Sequence, residues 1–293
     1  MDTKKFETLL KVIDYRSITK AGEDLGYTQS GVSHMIKAIE KELGFPVLVR
    51  NKSGVVPTED CKKIIPALRQ LVNWNEQFEQ ITASIKGITI GKVRIGTFTS
   101  MSVHWLPRII KEFQTDYPNI EIELEEGGNR TLSYGIENGL IDVGFCSKPT
   151  DIDVDWIPLF DDCLMAVLPP TFEVSGMNTF PLQMFNKTPF IALSEDFDCE
   201  VQKIFQQNSI CPDVKFSSTD DYTIISMVEQ ELGFSILPEM VLRGYKHCSV
   251  QTLVLEPYCK RQLGIALSSI KNASPATKKF IQYAKKIIDY KDR

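Results

Sequence analysis

Residues 26–44 read GYTQSGVSHMIKAIEKELG, and the front of that stretch is crowded with side chains that read hydrogen-bonding surfaces. Thr28, Gln29, Ser30, Ser33 and His34 fall together, and Lys37 follows one helical turn later. A glutamine amide can pair bidentately with adenine, and Ser or His can donate or accept at base edges or phosphates. A lysine further along the same face reaches a phosphate oxygen. This is the chemistry of duplex recognition. A second polar stretch, TFTSMS at residues 97–102, offers the hydroxyls of Thr99 and Ser100. If a strand ends and a helix starts there, the backbone N–H groups of Ser100, Met101 and Ser102 form an anion nest.

Other chemistries find no residues to carry them. Seven cysteines without a CxxC argue against a disulfide framework. The histidines, His34, His104 and His247, are scattered, so no zinc spacing exists and no metal or cofactor is expected. With no Ser/His/Asp elbow, no GxGxxG and no GxxxxGK[ST] loop, the chain does not read as an enzyme.

The elements that would position the first cluster are short helices. Phe6, Leu9, Leu10 and Ile13 share one face; Ser17 caps a second helix with Ile18, Ala21 and Leu25 inward. Gly26-Tyr27-Thr28 makes a turn, Thr28 caps a third helix, and Gly44 ends it after a stripe of Val32, Ile36, Ile39 and Leu43. Small Ala21 allows the helices to cross closely. Together these make a helix-turn-helix, whose second helix places its N-terminal turn in a major groove. The basic RNKSGVVPTED segment that follows reads as a hairpin turning at Ser53-Gly54, a wing whose Arg50 and Lys52 add phosphate contacts.

Charge divides accordingly. Residues 1–58 carry nine Lys and Arg against seven Asp and Glu, whereas residues 91–293 carry twenty against twenty-seven. A mildly basic module is joined to an acidic body, which hides in the overall net charge of −5.

Between them, Ile64, Leu68, Leu71, Asn75, Phe78, Thr82 and Ile85 alternate four and three apart, a heptad seam that calls for a partner helix. Asn75 would help fix register and two-strandedness. Beyond residues 87–91, strands and helices alternate. Strands are predicted at 92–98, 120–125 and 141–146 with helices at 102–115 and 130–138. A second series has strands at 163–168, 189–193, 214–218 and 233–237, helices at 199–208, 221–231 and 238–244, then a strand near 262–268 and a helix at 275–291. The alternation predicts parallel sheets in two α/β lobes with a ligand cleft between them. The expected division is residues 1–58 for DNA binding, 59–90 for the linker helix and 91–293 for effector binding. Lobe I takes residues 91–161 and 267–293, and lobe II takes 162–266.

At 293 residues and 43% apolar the chain has ample length for such a body. No apolar run approaches a membrane span. MDTKKFETLLKVIDY is a charged amphipathic start rather than a signal peptide, which points to a cytoplasmic protein.

The stretch FETLLKVIDYRSITKAGEDLGYTQSGVSHMIKAIEKELGFPVLVR resembles the N-terminal signature of the LysR-type transcriptional regulators. RIGTFTSMSVHWLPRIIKEFQTDYPNIEIELEEGG, GLIDVGF and LGFSILPE resemble that family's effector half, so the likeness spans essentially the whole chain. The resemblance implies an α/β protein: an N-terminal winged helix-turn-helix, a long linker helix and a two-lobed α/β effector domain like the periplasmic binding proteins. It implies a homodimer through the linker, a homotetramer overall, promoter DNA as one partner and a small co-inducer as the other. Ser100, Asn129 and Ser147 match positions where the family contacts its ligand. Some members carry Arg at the position of Ser147 to hold a second carboxylate, so its absence weakens a dicarboxylate reading. The SEDFD loop with Phe197, and residues Thr219 to Thr223, would close over a small, anionic metabolite. The plainer reading of these Ser and Thr residues is helix capping.

Departures are few. Gly31 stands where the family prefers Ala, a change that softens a helix by roughly 0.5–1 kcal/mol. Asp60-Cys61 replaces the usual Ala-Gly. Cys199 sits where the family's peroxide-sensing branch has its reactive thiol, with Cys211 the nearest partner. Asp196, Asp198 and Glu200 would raise its pKa, however, and favour an idle cysteine.

Overall fold

The structure, a computed structural model, describes residues 2–52, 54–194, 199–245 and 247–291. The head begins with α1 (Thr3–Tyr15), capped by the Asp2 side chain and burying Phe6, Leu9, Leu10 and Val12. Helix α2 (Ile18–Leu25) is capped by Ser17 and ends at Gly26, which is left-handed at φ 71°. Helix α3 (Gln29–Leu43) is capped by Thr28, buries Val32, Ile36 and Ile39, and stops at Gly44. Strands β1 (Leu48–Asn51) and β2 (Gly54–Pro57) pair antiparallel as a hairpin beside it. Ala21 is fully buried, as the close crossing expects, and Gly22 beside it approaches the turn closely. A Cβ on Gly22 would lie 2.8 Å from the Tyr27 carbonyl oxygen, and that turn is closed by the Tyr27 N–H donating to the Gly22 carbonyl at 2.7 Å.

The linker α4 (Glu59–Ile85) runs unbroken through Pro66. Its seam is phased differently from the expected one. Leu68, with Ile64 and Val72, packs into the core of the head. Asn75 and Thr82 spend their side chains within the helix, on Glu79. The apolar face left exposed is Leu71, Trp74, Phe78, Ile81 and Ile85, again spaced three and four apart. The reason is that α4 serves two contacts. Its other side is taken by its own chain, where Glu76 accepts two hydrogen bonds from Arg94 at 2.6 and 2.8 Å and Asn73 donates to the Gly139 carbonyl at 2.9 Å.

In the body, β3 (Gly91–Thr97) leads into α5 (Thr99–His104) and α6 (Leu106–Asp116). The single helix expected at 102–115 is thus two, starting earlier and breaking at Trp105. Pro107, which lacks an N–H to continue the α5 ladder, opens α6 instead. Strand β4 (Ile120–Glu126), α7 (Asn129–Glu137) and β5 (Val143–Ser147) complete a parallel unit, with β3 between β4 and β5. There the parallel expectation ends. Strand β6 (Asp155–Leu168) is far longer than the segment 163–168 expected for it, because its first half pairs antiparallel with a late strand, β12 (Lys260–Leu267).

Lobe II is built around the second half of β6. After β7 (Thr179–Pro181) come β8 (Pro189–Leu193), α8 (Cys199–Gln207), β9 (Asp213–Ser218) and α9 (Asp221–Glu229). Then follow β10 (Ser235–Pro238), α10 (Glu239–Leu242) and β11 (Gln251–Glu256), with α11 (Pro275–Lys291) returning to lobe I after β12. β10 and β11 both pair antiparallel with β6, while β8 and β9 pair parallel. Strands β7, only three residues long, and β11 are not among the expected elements. One apolar core, with Phe113, Phe145 and Phe280 among its largest members, fills lobe I. Two smaller ones, around Phe185 and around Ile224, lie on the two faces of the lobe II sheet. Strands β6 and β12 belong to both lobes, and so their middles form the floor of the cleft.

Candidate nucleic-acid interface and interlobe cleft

On α3, Gln29, Ser30, His34 and Lys37 are exposed and Ser33 is half-buried. Positions 29, 33 and 37 make one row four apart, and 30 and 34 the row beside it, so all five point from one side. Thr28 is tied to its cap: its hydroxyl accepts the Gly31 N–H at 3.1 Å and lies 3.1 Å from Ser30 Oγ. A Cβ at Gly31 would come 3.2 Å from Thr28 Oγ1, so the glycine that weakens the helix also leaves room for its cap. Arg50 and Lys52 are exposed on the adjoining hairpin. Elsewhere in the head, Lys5 is paired with Glu42 at 2.7 Å and Lys11 with Asp24 at 2.9 Å, while Lys4, Arg16, Lys20 and Lys41 form no ion pair among the described residues. Among the described residues Lys37, Arg50 and Lys52 form no ion pair. Uncompensated positive charge therefore gathers on the face that carries the polar helix end, the arrangement that phosphates attract.

The second site lies between the lobes, and its centre is a residue the sequence reading passed over. Arg261, on β12, is buried; its Nε and Nη2 donate to Asp162 Oδ2 at 3.0 and 2.8 Å. Nη2 also donates to Ser100 Oγ at 3.0 Å, and the guanidinium stands 5.9 Å from the centre of the Phe98 ring. Asp162 Oδ1 accepts the Met240 backbone N–H at 3.0 Å. One buried ion pair thereby ties lobe I through Ser100 to lobe II through α10. Around it a cavity of about 30 Å³, room for a water or two, is lined by Thr99, Ser100, Leu193, Thr219, Asp221 and Arg261. Asp221 Oδ1 is buried there without a hydrogen-bond partner. Burial pushes its carboxyl up to about 6, against the pull of Arg261.

Several expected ligand contacts are corrected. The anion nest does not form, because the Met101 and Ser102 N–H groups both donate to the Phe98 carbonyl at 3.0 Å. Met101 packs wholly inside the lobe I core, and the Ser102 hydroxyl donates to Thr99 O and to Glu126. Thr223 spends both its N–H and its hydroxyl on Asp220, at 3.1 and 2.6 Å, as a helix cap. Thr99 and Ser100 do line the cavity. Asn129 is half-buried at the start of α7, and Ser147 ends β5 with its buried hydroxyl unpartnered. Phe197 lies outside the described residues. Arg261 had a legible signal: with Leu263, Ile265 and Leu267 it falls on one side of a strand whose other members there are buried. Asp162 has the same signal inside FDDCLMAVL, directly before a buried run.

A larger hollow of about 530 Å³ lies away from both sites, on lobe II between β6, β11 and α10, where Arg243 is already paired with Glu239. Burial pushes the Cys61 thiol up to about 11 and that of Cys146 to about 12, which disfavours reactivity at those two; the Cys199 side chain lies outside the described residues, and Cys211 is exposed. No described helix is long and apolar enough to cross a membrane.

A helix-turn-helix head, a linker helix and a two-lobed α/β body define the class of ligand-responsive transcriptional regulators. The match to known families is direct. Residues 3–62 match the bacterial regulatory helix-turn-helix protein model of the lysR family, and residues 87–288 match the LysR substrate binding domain. The chain belongs to the LysR family, whose members are transcriptional regulators and not enzymes. The HTH-type transcriptional regulator YvbU of Bacillus subtilis is 32% identical over 291 residues, covering 98% of this chain and 99% of that one. A full-length OxyR of Pseudomonas aeruginosa superposes with a TM-score of 0.77 at 20% identity, over 98% of this chain and 94% of its own. The effector binding domain of QuiR in complex with shikimate aligns with 69% of this chain and 99% of its own, with a TM-score of 0.63 and 20% identity.

Proposed function

We propose that this regulator binds promoter DNA as a homodimer, and as a homotetramer overall, through paired α3 helices, and that a small metabolite in the interlobe cleft sets its output. The division of labour is residues 1–58 for DNA, 59–90 for dimerisation and 91–293 for the effector, in the cytoplasm where its DNA resides. Gln29, Ser30, Ser33 and His34 read base edges and phosphates from the front of α3, Thr28 fixes that end, and Lys37 holds a phosphate. Arg50 and Lys52 act as a basic wing. The exposed Leu71, Trp74, Phe78, Ile81 and Ile85 face supplies the partner contact. In the cleft, Thr99, Ser100 and Arg261 receive the effector, with Asn129 and Ser147 at the lobe I strand ends. A negatively charged group on the effector would meet the guanidinium, since the nest is closed to it.

The observation that carries this reading is the polar, cap-terminated face of α3, exposed beside uncompensated cations. A gel shift on the DNA upstream of the protein's own gene tests it. Retardation that weakens steeply with salt is expected, because each neutralised phosphate releases counterions. No retardation at low salt would remove the DNA-binding assignment.

A further inference from the structure

We propose that the cleft is built for a small zwitterion of the amino-acid class, its carboxylate received by Arg261 and its ammonium by Asp221. This rests on the interlobe cleft being the effector site. Two groups of opposite charge line the same cavity there. Arg261 commits Nε and Nη2 to Asp162 and Ser100, while Nη1 makes no hydrogen bond among the described residues. Asp221 holds Oδ1 buried and unpartnered. No ion pair within 4.0 Å joins the two.

Each is placed by its own surroundings. Asp162 grips the guanidinium with two hydrogen bonds and is itself fixed by the Met240 N–H. Asp221 is held in the first turn of α9, with Asp220 capping that helix. Asp221 presents a buried, unsatisfied acceptor and Arg261 an uncommitted Nη1 donor at the same cavity, and a buried group rejects ligands that leave it unpaired.

Each simpler ligand class fails on one count. A dicarboxylate brings a second negative charge against Asp221. A simple amine leaves the guanidinium face unmatched. A neutral apolar molecule leaves the Asp221 carboxyl buried and unpartnered. A ligand with an ammonium and a carboxylate on one small frame answers both. The hydroxyls of Thr99 and Thr219 at the same cavity can accept or donate to either end. The closed cavity of about 30 Å³ holds no more than water, so the ligand enters only when the lobes part across the Ser100–Arg261 contact.

Thermal unfolding of the full chain with each standard amino acid in turn is the test, repeated with the α-keto acid and the decarboxylated amine matching each one that stabilises. At least one amino acid is expected to raise the melting temperature. Its keto acid and its amine should bind at least about tenfold more weakly. Asp221→Asn should lose the amino-acid response while melting no lower than the unchanged chain without ligand; should that variant fail to fold, the keto-acid and amine comparison on the unchanged chain decides alone. A keto acid that binds as well as its amino acid would leave the cleft as the effector site and overturn the zwitterion. A stabilising amino acid that acts equally on Asp221→Asn and on Ser100→Ala would remove the cleft itself. No stabilisation by any standard amino acid overturns the proposal.

Discussion

On α3 the side chains proposed to read DNA come from neighbouring helix turns, all but half-buried Ser33 stand in solvent, and they project from a capped backbone. In the cleft they come from segments as far apart as Ser100 and Arg261, 161 residues along the chain, and they are buried in contact with one another. The helix face can therefore lose a side chain and stay folded, because its exposed residues add little to the core of the head. The cleft cannot, because Arg261 and Asp162 are each other's main compensation inside the protein. Affinity and stability are separable in the head and joined in the body.

The largest expected effect tests that join. Arg261→Met leaves Asp162 buried and uncompensated, and should cost about 3–5 kcal/mol of stability. Denaturant midpoints measure it, and adding Asp162→Asn should recover part of the loss. If Arg261→Met unfolded at the original midpoint, the buried pair would not be what joins the lobes. By contrast, Gln29→Ala should leave the midpoint within about 0.5 kcal/mol. Its expected cost is about 1–3 kcal/mol of discrimination at one base pair. Binding curves on single-base variants of the target check this, and an intact preference profile would remove Gln29 from base readout.

Asp221→Asn probes the cleft by pH. The native carboxyl holds its proton up to about 6, against 3.8 for an unperturbed aspartate, so the folded state binds more protons than the unfolded chain between those values. Stability is thus lost as pH rises through that window and stays lower above it. The Asn variant, without ligand, should be more stable at neutral pH by roughly 1–3 kcal/mol, with the advantage fading as pH falls toward 4. Melting temperatures across pH measure this; a constant difference would show that burial of the charge is not the cause. The smallest effect belongs to Lys37→Ala. It should weaken binding to all sequences alike by a few-fold and flatten the salt slope by about 1. Titrations at several salt concentrations on specific and random duplexes would expose a base contact instead, if only the specific site weakened.

How much of this was legible beforehand follows the same divide. Caps at Ser17 and Thr28, stops at Gly26 and Gly44, and the buried stripe of α3 are all short-range patterns, and each stands in the structure. The linker was read as a helix with a seam, of which Leu71, Phe78 and Ile85 lie on the exposed face while Ile64 and Leu68 do not. One row of apolar residues, Ile64 and Leu68, is consumed by the head before the exposed row takes over at Leu71. The parallel unit of lobe I was legible from its alternation. The antiparallel pairing of β6 with β12 was not, since it joins residues a hundred positions apart that carry no mutual mark.

For this protein, then, local sequence was sufficient to determine the helix-turn-helix and the polar face it presents. Capping, turn geometry and helical periodicity act over a few residues, and exposed side chains need no distant partner. Only tertiary structure decided the cleft. Whether an arginine in a strand is a surface charge or the floor of a binding site depends on what the fold brings against it. Here that was Asp162, Ser100 and the unpaired carboxyl of Asp221, held by buried contacts that exist only once both lobes are assembled.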